Sequence, residues 1–95
     1  MQITEAIIPF EIEQKLNWKH NVAAYEVEEV LLQHPHIRFA AKGNIKGEDL
    51  YTALGRTEAG RYLVVFFLNK GKGKALIISA RDMDAKERKR YDKVR

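Results

Sequence analysis

Leu50-Tyr-Thr-Ala-Leu-Gly-Arg56, Thr57-Glu-Ala-Gly60, Arg61-Tyr-Leu-Val-Val-Phe-Phe-Leu68, Asn69-Lys-Gly-Lys-Gly73 and Lys74-Ala-Leu-Ile-Ile-Ser-Ala80 follow one another without a break, and their punctuation decides the fold. Three apolar segments rich in β-formers alternate with loops of four and five residues. Such loops are too short for a crossover, so consecutive strands must run antiparallel. The unbroken Leu63-Val-Val-Phe-Phe-Leu68 predicts a central strand covered on both faces. In the strand Lys74 to Ala80, strict alternation puts Leu76, Ile78 and Ala80 on one face. Ala75, Ile77, Ser79 and the following Arg81 would share the other.

Upstream, His36 to Ala41 is the weakest of four predicted strands, joined to Leu50–Arg56 across the turn Gly43-Asn-Ile-Lys-Gly47. Before it lie two helices. Glu11 to His20 has Pro9 near its start, with Ile12 and Leu16 four apart on one face. Ala23 to Gln33 buries Val27, Val30 and Leu31, carries Glu26, Glu28 and Glu29 near its positive end, and stops at Pro35. Downstream, Asp84 caps a last helix with Glu87 reaching back in a capping box, and Met83, Glu87, Tyr91 and Val94 follow helical spacing. The expected fold is a single α+β domain over residues 1–95: two N-terminal helices, a four-stranded antiparallel sheet and a C-terminal helix.

The 95 residues carry a net charge of +4, unevenly spread. Residues 1–34 hold two Lys/Arg against six Asp/Glu, whereas residues 35–95 hold 15 against seven. Cationic character therefore belongs to the strands and the last helix, which is compatible with a nucleic-acid partner. The absence of cysteine excludes disulfide frameworks and thiolate metal sites. No basic leader and no bilayer-length apolar run is visible, so a soluble, cytoplasmic protein without membrane association is expected. Glycosidase carboxylate pairs, hydrolase triads and dinucleotide fingerprints are missing, and Lys70-Gly-Lys-Gly73 lacks the Gly-Lys-Ser/Thr of a P-loop.

Three blocks carry a family resemblance. Lys19-His-Asn-Val22 with Glu26-Val-Glu-Glu-Val30, then Leu54-Gly-Arg-Thr-Glu-Ala-Gly-Arg-Tyr-Leu63, then Ile78-Ser-Ala-Arg-Asp-Met83 with Glu87-Arg-Lys-Arg-Tyr91, together resemble the BrnT-like toxins from about Phe10 to Tyr91. The resemblance implies a RelE-like fold and a bacterial, metal-independent endoribonuclease toxin needing no cofactor. Its partners would be RNA and a small antitoxin, expected to be of the ribbon-helix-helix type, with a homodimer left open. Where the family often reads E-E-R-F, this chain reads Glu48-Asp-Leu-Tyr51. A non-catalytic nucleic-acid-binding or protein-interaction module on the same scaffold is the alternative reading, and an exposed edge strand at His36–Ala41 could accept an added strand.

Metal-free RNA cleavage requires removal of the 2′-hydroxyl proton, neutralisation of charge on phosphorus, and a proton for the leaving oxygen. Imidazole suits proton transfer and guanidinium suits phosphate. The catalytic candidates are accordingly His20 with the adjacent Lys19, Arg81 at the end of its strand, and Tyr91, whose phenol offers a ring and a hydroxyl. His20 could instead terminate its helix, Arg81 could pair with Asp82, Asp84 or Glu87, and Tyr91 could pack. Substrate-binding candidates are Arg56 and Arg61, which flank one turn and could clamp a phosphate, Arg88 on the last helix, and Lys70 and Lys72 at a hairpin tip. His34 and His36 flank a proline with no further ligand nearby, so no metal site is expected. The nuclease expectation needs His20 and Arg81 to meet around one anionic pocket.

Overall fold

A computed structural model describes residues 1–94. The elements are β1 (Glu5–Ile7), α1 (Phe10–His20), α2 (Ala24–Leu31), β2 (His36–Ala41), β3 (Leu50–Arg56), β4 (Tyr62–Gly71), β5 (Lys74–Asp82) and α3 (Ala85–Val94). They form a five-stranded sheet of order β1-β5-β4-β3-β2, with α1 and α2 against one face and α3 on the other. The α+β class with three helices agrees with the expectation.

The sheet itself departs from it. Instead of four antiparallel strands there are five, and β1 pairs parallel to β5 from Glu5↔Lys74 to Ile7↔Leu76. Three residues ahead of a proline are too few to show a period of two. Only a partner some 70 positions later makes β1 a strand, with the N–H groups of Thr4 and Glu5 both donating to the Gly73 carbonyl. The β4–β5 connection is also tighter than expected. Only Lys72 and Gly73 turn the chain, both at positive φ (55° and 78°), the backbone a two-residue hairpin needs to match strand twist. Helix α2 stops earlier than expected because His34 turns left-handed (φ 58°) ahead of Pro35.

Strand β4 lies in the middle of the sheet, and Leu63, Val64, Val65 and Phe67 are all buried. Beneath α1 and α2, Leu16, Val27, Val30 and Leu31 pack on Ala53, Leu63, Val65, Phe67 and Ile77. Under α3 a smaller cluster joins Leu54, Val64 and Met83 to Tyr62, Phe66 and Tyr91.

One irregularity decides which way β5 presents its side chains. Phe66 pairs with Ser79 but Phe67 pairs with Ile77, so Ile78 is a bulge residue, 41% exposed. The bulge inverts the expected alternation. Ala75, Ile77 and Ala80 are buried beneath α1 and α2, whereas Arg81 lies opposite Val64 on the α3 face.

Gly55 lets α2 approach the sheet. A Cβ there would stand 2.9 Å from Val30 Cγ1 and 3.5 Å from Pro35 Cβ. Gly55→Ala is therefore expected to destabilise the fold by about 1–3 kcal/mol through overpacking, read as a lowered urea midpoint. An unchanged midpoint would show that α2 moves aside at little cost.

Candidate active site

Pairing in the β3–β4 hairpin sets Arg56 opposite Tyr62 on the α3 face. The five-residue turn between them is closed by Thr57, whose N–H donates to the Arg61 carbonyl while its hydroxyl accepts from the Arg61 N–H. Helix α3 starts on the expected capping box: the Glu87 N–H donates to Asp84 Oδ1, and the Asp84 N–H donates to Glu87 Oε1. That start brings Arg88 and Tyr91 down onto the same patch.

The product is a cluster of cations and rings. The guanidinium carbons of Arg88 and Arg56 lie 4.0 and 4.6 Å from the Tyr62 ring centroid, and Tyr91 meets Tyr62 edge-on at 5.9 Å. Arg56 spends one N–H on the Gly60 carbonyl. Among the described residues, neither Arg56 nor Arg88 forms an ion pair, so their charge remains available to an anion. Stacking on a phenol holds a guanidinium in place without neutralising it. Tyr62 was missed by sequence reading, although a period of two from Val64, carried across the hairpin, would have placed it beside Arg56.

Arg81 borders this cluster and stands over the Phe66 ring at 5.4 Å. It is gripped by Glu87 in a two-pronged pair at 2.8 and 3.0 Å, and Nη1 also donates to the Asp82 carbonyl. The ion-pair alternative for Arg81 is thus present. Three of its five N–H groups are engaged among the described residues, and two remain for a ligand.

On the opposite face Arg61 has a different task. Nε and Nη2 donate to the two oxygens of Asp82, Nη1 to Glu26 Oε1 and the Asn21 carbonyl, and Nη2 also to the His20 carbonyl. All five N–H groups are consumed, which leaves none for phosphate. The expected clamp of Arg56 with Arg61 therefore does not form. Tyr62, not Arg61, is the residue paired with Arg56, and adjacent side chains on a strand point to opposite faces.

The same geometry puts His20 and Arg81 on different faces of the sheet. His20 ends α1, which packs under the sheet, and its carbonyl is tied to Arg61, whereas Arg81 faces α3. The β-bulge turns the Arg81 side chain to the α3 face, yet both residues lie at the Asp82 end of β5, whose carboxylate feels the His20 charge. Lys19 is exposed on α1 beside His20, away from the arginine–tyrosine cluster. Lys70 and Lys72 lie at the far end of β4 and its turn, roughly 25 Å along the strand from Tyr62. His34 is exposed at its turn and His36 is half-buried at the start of β2. Among the described residues, no three His, Asp or Glu side chains gather as a metal site would require.

Two of the paired carboxylates, Asp82 and Glu87, are perturbed. The hydrogen bond from Arg61 holds the Asp82 carboxyl below its usual range, and the hydrogen bond from Arg81 does the same for Glu87. Near pH 4 the folded chain then binds fewer protons than the unfolded chain. Their contribution to stability is complete above the ordinary carboxylate pKa of about 4 and is lost as pH falls through the lowered values. The urea midpoint is expected to drop on acidification through that window, and less steeply in Glu87→Gln. A Glu87→Gln profile parallel to the parent would show that the Arg81 pair contributes nothing.

Comparison with known proteins agrees with this architecture. Residues 13–87 match the model of the family described as "Ribonuclease toxin, BrnT, of type II toxin-antitoxin system". The crystal structure of the Brucella abortus ribonuclease toxin BrnT superposes with a TM-score of 0.61 at 18% identity, covering 85% of this chain and 97% of that one. No curated protein sequence is matched. No helix of the described residues is long and apolar enough to cross a membrane. With the family model spanning most of its length, the chain belongs to the BrnT family of ribonuclease toxins of type II toxin–antitoxin systems.

Proposed function

We propose that the protein is a metal-independent endoribonuclease whose scissile phosphate binds at the Arg56–Tyr62–Arg88–Tyr91 cluster, with Arg81 at its border. The observation that carries this reading is the pair of guanidiniums held on one phenol ring with no ion pair among the described residues. Attack of a ribose 2′-oxygen on phosphorus forms one P–O bond and breaks the bond to the 5′-oxygen, leaving a 2′,3′-cyclic phosphate and a 5′-hydroxyl. The 2′-hydroxyl proton passes to solvent water, from which the proton donor is restored after release. Negative charge grows on the non-bridging oxygens, where fixed guanidiniums stabilise it with little reorganisation. The Tyr91 hydroxyl is the group assigned to deliver a proton to the leaving oxygen. His20 and Lys19, on the other face, take no part in this version of the mechanism.

The purified protein is expected to cut RNA in EDTA, and Tyr91→Phe, which keeps the ring, should cut more slowly by about 100-fold or more. Binding without any cutting at high protein concentration would leave a non-catalytic RNA-binding module. Activity lost in His20→Ala but kept in Tyr91→Phe would move the chemistry to α1.

A protein-interaction role is favoured by a separate feature, the edge strand β2. Among the described residues it pairs only with β3, and it exposes Arg38 and Phe39. The family implies an antitoxin partner, and a strand from it could extend the sheet there. The ribbon-helix-helix class of that antitoxin, RelE-type kinship, a homodimer and a cytoplasmic site of action belong to this same proposal and rest on the sequence resemblance.

A further inference from the structure

The cluster opens into a cleft of about 430 Å³. Its walls include Gln33 and Pro35 after α2, Arg56, Glu58 and Gly60 of the β3–β4 hairpin, and Tyr91 of α3. Arg56 and Tyr91 belong to both cleft and cluster, so the two are continuous.

The cleft contains a group that a phosphate site would avoid. Glu58 is positioned from two sides: its backbone N–H donates to Glu29 Oε1 at 3.1 Å, and Gln33 Nε2 donates to Glu58 Oε1 at 3.3 Å. A carboxylate here repels the RNA backbone but accepts hydrogen bonds from N–H groups. If a phosphate sits on Arg56 and Arg88, an attached nucleotide enters the cleft base first. Bases are recognised on splayed strands by an aromatic wall and by hydrogen bonds to their Watson–Crick edge. Tyr91, with Pro35 and Val30, supplies the wall. Guanine alone among the four bases offers an imino N–H and an amino group side by side, matching the two oxygens of one carboxylate.

We propose that this cleft is a base-reading subsite for guanine, with Glu58 accepting from its N1–H and N2–H groups. The proposal rests on the ribonuclease reading only in taking RNA as the ligand of the adjoining cluster.

The test uses the intact protein and 2′-O-methyl trinucleotides that cannot be cut, carrying guanine, inosine, adenine or uracil at each position in turn. Affinity is read by fluorescence anisotropy. Guanine at one position is expected to bind about tenfold or more tighter than inosine, which lacks the amino group, and than adenine or uracil. That preference should fall below about threefold in Glu58→Gln, which keeps size and shape, and persist in Lys70→Ala. Equal binding of all bases, or a guanine preference that survives Glu58→Gln, would overturn the proposal. Cleavage of mixed-sequence RNA separates the two ideas. Guanine-selective binding with no cleavage sinks the nuclease and leaves the subsite, whereas cleavage without base preference sinks the subsite and leaves the nuclease.

Discussion

Arg61→Ala is expected to lower folding stability by about 2–3 kcal/mol and Tm by about 10–20 °C, without touching the arginine–tyrosine cluster. The side chain is only 24% exposed and joins four segments: the end of α1 through the His20 carbonyl, the α1–α2 corner through Asn21, α2 through Glu26, and β5 through Asp82. Its removal leaves two carboxylates and two carbonyls without their donor. The Asn21 link is the most telling, because Asn21 is itself left-handed (φ 53°) and the corner is shaped around it. Arg61→Lys should recover less than half of the loss, since an ammonium on a flexible stem cannot reach all four acceptors in one plane. Thermal melts of the three proteins decide the matter. A melt for Arg61→Ala within 2–3 °C of the parent (roughly the scale of an ordinary surface substitution) would show that solvent replaces the network at no cost.

The second large effect concerns activity. Arg81→Ala is expected to reduce RNA cleavage about 100-fold, the usual scale for losing one fixed donor at a developing oxyanion. Glu87 complicates a single substitution, because deleting Arg81 also strands its paired carboxylate beside the phosphate site. A double-mutant cycle separates the two causes. If Arg81 merely neutralises Glu87, the Arg81→Ala/Glu87→Ala protein should regain most of the rate. If Arg81 contacts the phosphate, the double variant stays as slow as the single one. Regained rate would remove Arg81 from the chemistry and leave Arg56 and Arg88 as the phosphate ligands.

What could be read from the sequence was what local rules determine. The bounds of β2 and β3 and the Asp84–Glu87 capping box follow from alternation, turn residues and side-chain reach, and each is present in the structure. The buried centre of β4 followed from Leu63 to Phe67 in the same way. Site geometry depended on features no local rule carries. One extra residue at Ile78 reversed the face presented by Arg81. The pairing of Arg56 with Tyr62 sent Arg61 to the other side, and the ten-residue length of β4 carried Lys70 away from the arginines. Arg56, Arg88 and Tyr91 converge because Tyr62 gives them a common surface, and although alternation places Tyr62 beside Arg56, the docking of α3 that adds Arg88 and Tyr91 leaves no periodic trace. The antiparallel four-stranded expectation failed for a similar reason, since Glu5–Ile7 is extended only because β5 offers it an edge.

That first strand has a consequence for biosynthesis. Its partner lies about 70 residues further along the chain, and the β4–β5 hairpin must emerge before residues 5–7 have anything to dock against. During translation the leading segment therefore waits, while α1 and α2 can coil as soon as they clear the exit tunnel. Residues 5–7 can join the sheet only once β5 is in place, so a fragment ending before residue 74 keeps an open seam and lacks Arg81, Arg88 and Tyr91 of the cation cluster.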